Sequence, residues 1–252
     1  MNKHALYTLI IASFTIGGCS TMKNSTTAGK ASDDRPTIYD LCAKYSSDKC
    51  GQAHNFITFY DRLLTPKRDS IERFFEIGIL NGASHLMWKD FFPNADIFGI
   101  DLKDYSDKGL KDGIYTFVAN QAKREDLQAF IDKYGGDFDV ILDDGGHAMD
   151  HQQVSLGFLF KYLKPGGYFI IEDVHTSLPA FYPREEFNVD DDESNTTLRM
   201  IENYIRTSFM VSEFMTQEEM MYLQKNIESI ELTYRTTKLH STMCIIQKKE
   251  EW

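Results

Sequence analysis

From residue 71 onward the apolar positions switch repeatedly between a strand-like and a helix-like pattern. Five short runs rich in β-branched and aromatic residues, Ile71–Gly78, Asp96–Asp101, Ile114–Ala119, Phe138–Asp143 and Gly167–Glu172, have the length and composition of strands buried in a sheet. Between them Ala83–Phe92, Arg124–Tyr134 and Asp150–Leu163 carry apolar residues at helical spacing. Alternation at this spacing predicts an α/β fold with a doubly wound, mainly parallel sheet. Ahead of it, Thr37–Tyr45 and Ala53–Leu64 read as two short helical pieces, and Pro66 punctuates before the first strand. Behind it, Leu198–Phe209 and Gln217–Asn226 read as helices. Ile227–Tyr234 and Leu239–Lys248 follow, separated only by Arg235–Lys238, which suits an antiparallel hairpin and is too short for a crossover. Leu178–Asn195, with Pro179 and Pro183, is a long connection and a candidate lid.

Chemistry gathers where the strands end. DVILDDGGH at Asp139–His147 and YFIIEDVH at Tyr168–His175 each place carboxylates directly after a buried run. The C-terminal edge of an open parallel sheet is where such folds bind ligands. Asp144, Glu172 and Asp173 are thus placed to share one divalent cation, with His147 close enough to serve as a base. Oxygen ligands without a cysteine or a histidine cluster favour Mg2+ or Mn2+ over zinc. Plainer readings stay open: His147 as a loop hydrogen-bonder, and Glu172 and Asp173 as helix caps or partners of Arg184.

The turn after the first strand, FEIGILNGAS, sets Glu76, Gly78 and Gly82 at a strand-to-helix junction. Glycine there permits a tight turn and close approach of a ligand, and the helix that follows offers its N-terminus. The dinucleotide fingerprint asks for glycine at its first, third and sixth places, whereas Leu80 and Ala83 follow Gly78 here. Leu80 stands where a pyrophosphate needs bare backbone, which disfavours NAD. Asp101 closes the second strand, where an acid accepts hydrogen bonds from ribose hydroxyls; a helix cap or a surface acid is the alternative.

At these residues the chain resembles the class I S-adenosylmethionine (SAM) dependent methyltransferases, whose fold is Rossmann-like. Glu76, Gly78 and Gly82 match that superfamily's first motif, Asp101 its ribose acid, and the terminal hairpin its reversed last strand. A closer resemblance is to the metal-dependent sugar O-methyltransferases of macrolide and anthracycline-type antibiotic pathways, of the mycinamicin and elloramycin type. It runs from about Tyr39 to the final hairpin through YSSDKCGQAHNF, FFEIGILNGASHLMW, FFPNADIFGIDL, ANQAKREDL, ILDDGGHAMDHQ and FIIEDVHTS. The resemblance implies that Glu76, Gly78, Gly82, Ser84, Asp101, Gln121 and Asp143 serve the SAM pocket. It likewise implies that Asp144, Glu172 and Asp173 hold Mg2+ and that His147 is the general base. Two departures stand out. Gly146 takes the place of the family's serine before the histidine, and its Gly-Thr-Asp-Lys-Gly-Thr string is Ser46-Ser47-Asp48-Lys49-Cys50-Gly51 here.

Composition narrows the partners. A chain of 252 residues, 42% hydrophobic, has room for one full α/β domain. A net charge of −11 without a basic stripe argues against nucleic acid. The run Asp190–Glu193 reads as a solvated loop. The first residues differ: Lys3, the apolar stretch Ala5–Ile16 and IGGCS have the layout of an export signal of the bacterial lipoprotein kind, with Cys19 bearing the lipid. The expected organisation is a signal segment at 1–19, a flexible tether at 20–36, and a methyltransferase domain at 37–252 with an N-terminal helical cover and a lid at 178–195. A cell-envelope location through Cys19 sits uneasily with a cytosolic cofactor, and a start at Met22 would give a cytoplasmic protein. Cys42 and Cys50 could pair in an oxidising compartment, while Cys244 reads as a buried small hydrophobe.

The expected function is therefore O-methylation, with SAM and Mg2+ or Mn2+, of a hydroxyl on a sugar or other vicinal-diol small molecule such as a glycoside. The alternative is a non-catalytic envelope lipoprotein that keeps the fold as a ligand-binding module. The carboxylates alone also admit a metal hydrolase. A membrane enters only through the lipid, and a second copy of the chain is an admissible partner.

Overall fold

The computed structural model describes residues 34–50, 54–108, 110–234 and 241–250. The signal-like segment 1–19, with Cys19 and Met22, and the tether up to residue 33 lie outside the described residues. Residues 36–252 form one compact unit.

Helices Ile38–Tyr45 (α1) and Ile57–Leu64 (α2) precede the first strand, Arg73–Ile77 (β1). The alternating region follows as Ala83–Phe91 (α3), Asp96–Asp101 (β2), Ile114–Val118 (β3), Arg124–Tyr134 (α4), Phe138–Asp143 (β4), Met149–Leu159 (α5) and Leu163–Ile171 (β5). A short helix, Arg184–Phe187 (α6), interrupts the long connection. Then come Thr197–Thr207 (α7), Gln217–Asn226 (α8), Ile227–Tyr234 (β6) and Thr242–Lys248 (β7). The seven strands lie in the order β3-β2-β1-β4-β5-β7-β6, parallel from β3 to β5 and antiparallel at β7 and β6. This is the expected doubly wound sheet with a terminal antiparallel hairpin.

The core divides across the sheet. On one face α1, α2 and α3 bury Ile38, Tyr60, Met87 and Trp88 against Phe74, Ile97 and Val140. Trp88 is fully buried beside Tyr60 and Phe74 in the core. On the other face α4, α5, α7 and α8 pack Phe130, Leu156, Ile201 and Leu223 over Phe75, Ile141 and Phe169. Met210 and Met215 belong to this second cluster, whereas Met221 is exposed. Cys244 is buried in β7.

Strand β5 begins earlier than its apolar run suggests. Leu163 already pairs with Phe138, and a register shift before Val140 absorbs the Pro165-Gly166-Gly167 stretch. Helix α5 lacks an apolar stripe because nearly all of it is buried, Gln152, Gln153 and Ser155 included. Gln152 donates to the Glu172 carbonyl and Ser155 to Asp143 at the sheet edge, while Gln153 donates to the Asn195 carbonyl of the long connection.

Candidate active site

Register brings the strand ends together. Ile77 pairs with Ile100 and with Asp143, and Asp143 pairs with Ile171, so the chain leaves β1, β2, β4 and β5 at one level. The ladder continues one residue further, with the Gly78 N–H donating to Ile100, Asp144 to Ile77 and Glu172 to Asp143, at 2.9–3.0 Å. Strand order reverses between β1 and β4, the switch point where doubly wound sheets open a crevice. Gly78 has φ +93°, and a Cβ there would stand 2.1 Å from the Asp144 carbonyl oxygen, so only glycine lets these two strand ends approach.

A cleft of about 380 Å3 opens at this point. Among the residues proposed for the cofactor, Gly78, Ser84, Asp101 and Gln121 line it, and so do Asp144, His147 and Asp173. Asp101 closes the first turn: its Oδ2 accepts the Ile79 N–H at 2.9 Å and its Oδ1 the Lys103 N–H at 3.0 Å. Leu80, at φ +52° and 70% exposed, lies along the same wall.

Four expected site residues stand behind the wall and do not line it. Glu76 is fully buried, its Oε2 accepting from Ser84 at 2.9 Å and lying 3.2 Å from His85 Nδ1. Gly82, at φ +82°, shapes the tight turn by donating to Ile79 and then caps α3. Asp143 is buried, its two oxygens taken by Gln121 Nε2 at 2.9 and 3.0 Å and by Ser155 Oγ. Gln121 in turn accepts the Gly146 N–H at 2.8 Å and so fixes the loop that carries His147. Glu172, nearly fully buried, accepts from the Tyr60 hydroxyl.

The carboxylates converge as their positions at the strand ends require. One ligand atom each from Asp144, His147 and Asp173 lie within 4.8 Å of one another, so the two carboxylates can share a divalent cation with the imidazole beside them. His147 and Asp173 both adopt left-handed backbone, at φ +56° and +54°, a conformation that non-glycine residues keep only where the surroundings impose it. Burial and the charge of Asp144 push the Glu172 carboxyl well above its usual range. Asp144 and Asp173 repel each other across the site, and a divalent ion between them would relieve that repulsion.

Several of its members escaped the sequence reading. The Lys49 ammonium is fully buried and lies 3.1 Å from Glu76 Oε1, 3.2 Å from Glu172 Oε1 and in contact with Asp144 Oδ2. Burial alone would favour the neutral amine. The carboxylates of Asp144, Glu172 and Glu76 outweigh it and hold the amine protonated well above the usual lysine range. Asp173 is ringed by His54 at 3.3 Å, His147 at 3.6 Å and His175 at 3.7 Å. Burial opposes its ionisation, but these imidazoles, His54 first, draw its carboxyl below the usual value. Gly146 replaces the serine of the family pattern, and a Cβ there would meet the His151 ring at 2.1 Å. The connection expected to be a lid has none of its residues along the cleft; Tyr182 packs on His175 at 5.0 Å, and Arg184 pairs with Glu193.

No family model matches the chain. It is 34% identical over 180 residues, 68% of its own length, to mycinamicin VI 2''-O-methyltransferase of Micromonospora griseorubida. It is 35% identical over 175 residues, 64% of its length, to L-olivosyl-oleandolide 3-O-methyltransferase of Streptomyces antibioticus. These matches cover 44% and 45% of the relatives, so the chain spans about half the length of the curated relatives it matches. Among solved structures, MycE methyltransferase of the mycinamycin pathway in complex with Mg, SAH and mycinamycin VI superposes with a TM-score of 0.70 at 27% identity. That match covers 86% of this chain and 56% of the other. In sequence and in fold, the chain is a homologue of the sugar O-methyltransferases of macrolide and tetracenomycin pathways, built on the class I methyltransferase fold.

Proposed function

We propose that the chain is a SAM-dependent O-methyltransferase that acts, with Mg2+ or Mn2+, on a hydroxyl of a sugar or another small molecule bearing neighbouring hydroxyls. The observation that carries this reading is the meeting of Asp144, His147 and Asp173 at the end of the cleft that Gly78 and Asp101 form. SAM would supply a methyl group activated by its sulfonium. A divalent cation held by Asp144 and Asp173, with Glu172 behind them, would lower the pKa of an acceptor hydroxyl and fix a diol's orientation.

The chain's own groups supply the rest. Asp101 lines the cleft at the end of β2, where the lone pairs not taken by the Ile79 and Lys103 N–H groups would accept ribose hydroxyls, and the side chain of Leu80 stands where a pyrophosphate would need bare backbone. His147 Nε2, 3.6 Å from Asp173 Oδ2, takes the acceptor's proton, and the imidazolium that forms faces that carboxylate. Rigid strand ends hold these groups in place, so positioning contributes much of the acceleration.

The test is a titration of S-adenosylhomocysteine into the folded chain, followed by methyl transfer to glycosides with a free vicinal diol. One-site binding near −8 kcal/mol, on the order of micromolar affinity, and a methylated product that a chelator abolishes are expected. A folded chain that binds neither SAM nor its product refutes the reading. For the segment outside the described residues, we keep the proposal of a lipid on Cys19, which predicts that Cys19→Ser releases the protein from membranes.

A further inference from the structure

The family's Gly-Thr-Asp-Lys-Gly-Thr string has a cysteine in place of its second glycine here, and that cysteine is bonded. Cys50 forms a disulfide with Cys42 of α1, their Cα atoms 6.0 Å apart. The residues between them serve the site directly. Ser46 and Asp48 line the cleft, and Lys49 is the ammonium seated among Glu76, Asp144 and Glu172. On the N-terminal side this segment is well anchored: Cys42 is fully buried in the α1 core, and Lys44 and Tyr45 both bond to Asp90 of α3. Toward Cys50 its backbone support is thinner, with the Ser46, Ser47 and Cys50 N–H groups donating at 3.2–3.3 Å within the segment itself. Ser46 holds left-handed backbone at φ +54°. The covalent link therefore closes a short loop whose one end is fixed and whose other end carries Lys49.

We propose that the Cys42–Cys50 disulfide is a redox latch on the active site: it keeps Ser46 and Asp48 against the cleft and Lys49 among the carboxylates, and its reduction loosens both. Cys50 is half-buried while Cys42 is inaccessible, so exchange begins at the Cys50 sulfur. A thiolate of a dithiol attacks Cys50 Sγ, the sulfur–sulfur bond breaks, and Cys42 leaves as a thiolate that takes up a proton. The second thiol of the reagent then displaces Cys50. The chain gains two electrons and two protons as two thiols, and the dithiol becomes a disulfide. A disulfide-bearing oxidant runs the same steps backwards. The latch gives a residue-level reason for the cysteine pair and would make cofactor binding depend on the redox state of the compartment. It acts on the site of the proposed methyltransferase and rests on that reading for its consequence.

The experiment compares the full chain in its oxidised form and after treatment with dithiothreitol, with thiols counted in both. Amide hydrogen exchange across 43–50 and in β1 and β4 is read beside the affinity for S-adenosylhomocysteine. Reduction is expected to speed exchange in 43–50 and to weaken the ligand, each by about tenfold or more, while β1 and β4 stay protected and reoxidation restores both. The double variant Cys42→Ser, Cys50→Ser is expected to match the reduced form and to ignore the reductant. Unchanged exchange and equal affinity in the two forms overturn the latch and leave the proposed function standing. Faster exchange in 43–50 with no ligand bound by either form supports the latch and refutes the proposed function. Loss of protection in β1 and β4 together with 43–50 overturns it as a local device.

Discussion

The sharpest consequence of the site concerns a residue that touches no reacting atom. Lys49→Met keeps the length of the aliphatic stem and removes the charge, which leaves Glu76, Asp144 and Glu172 facing one another without their shared cation. Removing one partner of a buried ion pair costs about 3–5 kcal/mol, because the groups left behind are buried and unpaired. A domain of this size loses about 2–4 °C in Tm per kcal/mol, so a fall of roughly 6–20 °C is expected in the presence of a chelator. Two compensations should follow if charge is the cause. Excess Mg2+ should restore part of the lost stability, since it can take over the neutralisation of Asp144. Adding Glu172→Gln to the variant should restore part of it without metal, since Tyr60 can still donate to the amide oxygen.

The assay is thermal unfolding of the full chain, each variant in chelator and in excess Mg2+. A Lys49→Met protein as stable as its parent would refute the argument outright, because the cluster's charge would then be held elsewhere. A loss that neither Mg2+ nor Glu172→Gln relieves would show that the stem's packing, and not the ammonium, accounts for the effect.

Other expectations follow from neighbouring contacts. Asp144→Ala should abolish divalent-cation uptake, read by calorimetry, and spare S-adenosylhomocysteine binding; equal loss of both would remove the metal role. His147→Ala should lower turnover about 10²- to 10⁴-fold, the usual range for a positioned acid or base, with little change in cofactor affinity, and a near-normal rate would exclude it as the base. Gly78→Ala should destabilise the fold by more than about 2 kcal/mol in chemical denaturation, since its Cβ would meet the Asp144 carbonyl at 2.1 Å with φ at +93°. Parental stability in the Gly78→Ala variant would mean that the two strand ends can separate freely.

What the sequence discloses and what it hides divide along a physical line. The strands and the acids that follow them are local: an apolar run followed by carboxylates already says where Asp144, Glu172 and Asp173 must emerge. Distinguishing the side chain that faces the cleft from the one that turns inward is not local. Asp143 and Asp144 are neighbours, yet Gln121 and Ser155 claim the first and leave the second to the cleft. Lys49, His54 and Tyr60 come from the N-terminal cover, about a hundred residues from Asp144, Asp173 and Glu172, and no periodicity marks such contacts. One signal was nevertheless present. Four carboxylates, Glu76, Asp144, Glu172 and Asp173, assigned to one sheet edge cannot all stay ionised in a partly dry site without positive charge beside them. Counting that charge would have asked for a buried cation from elsewhere in the chain, and Lys49, kept in its string beside a cysteine that departs from the family pattern, was available to meet it. The two features are joined in the structure: the residue that neutralises the site is adjacent to the one that ties its segment down.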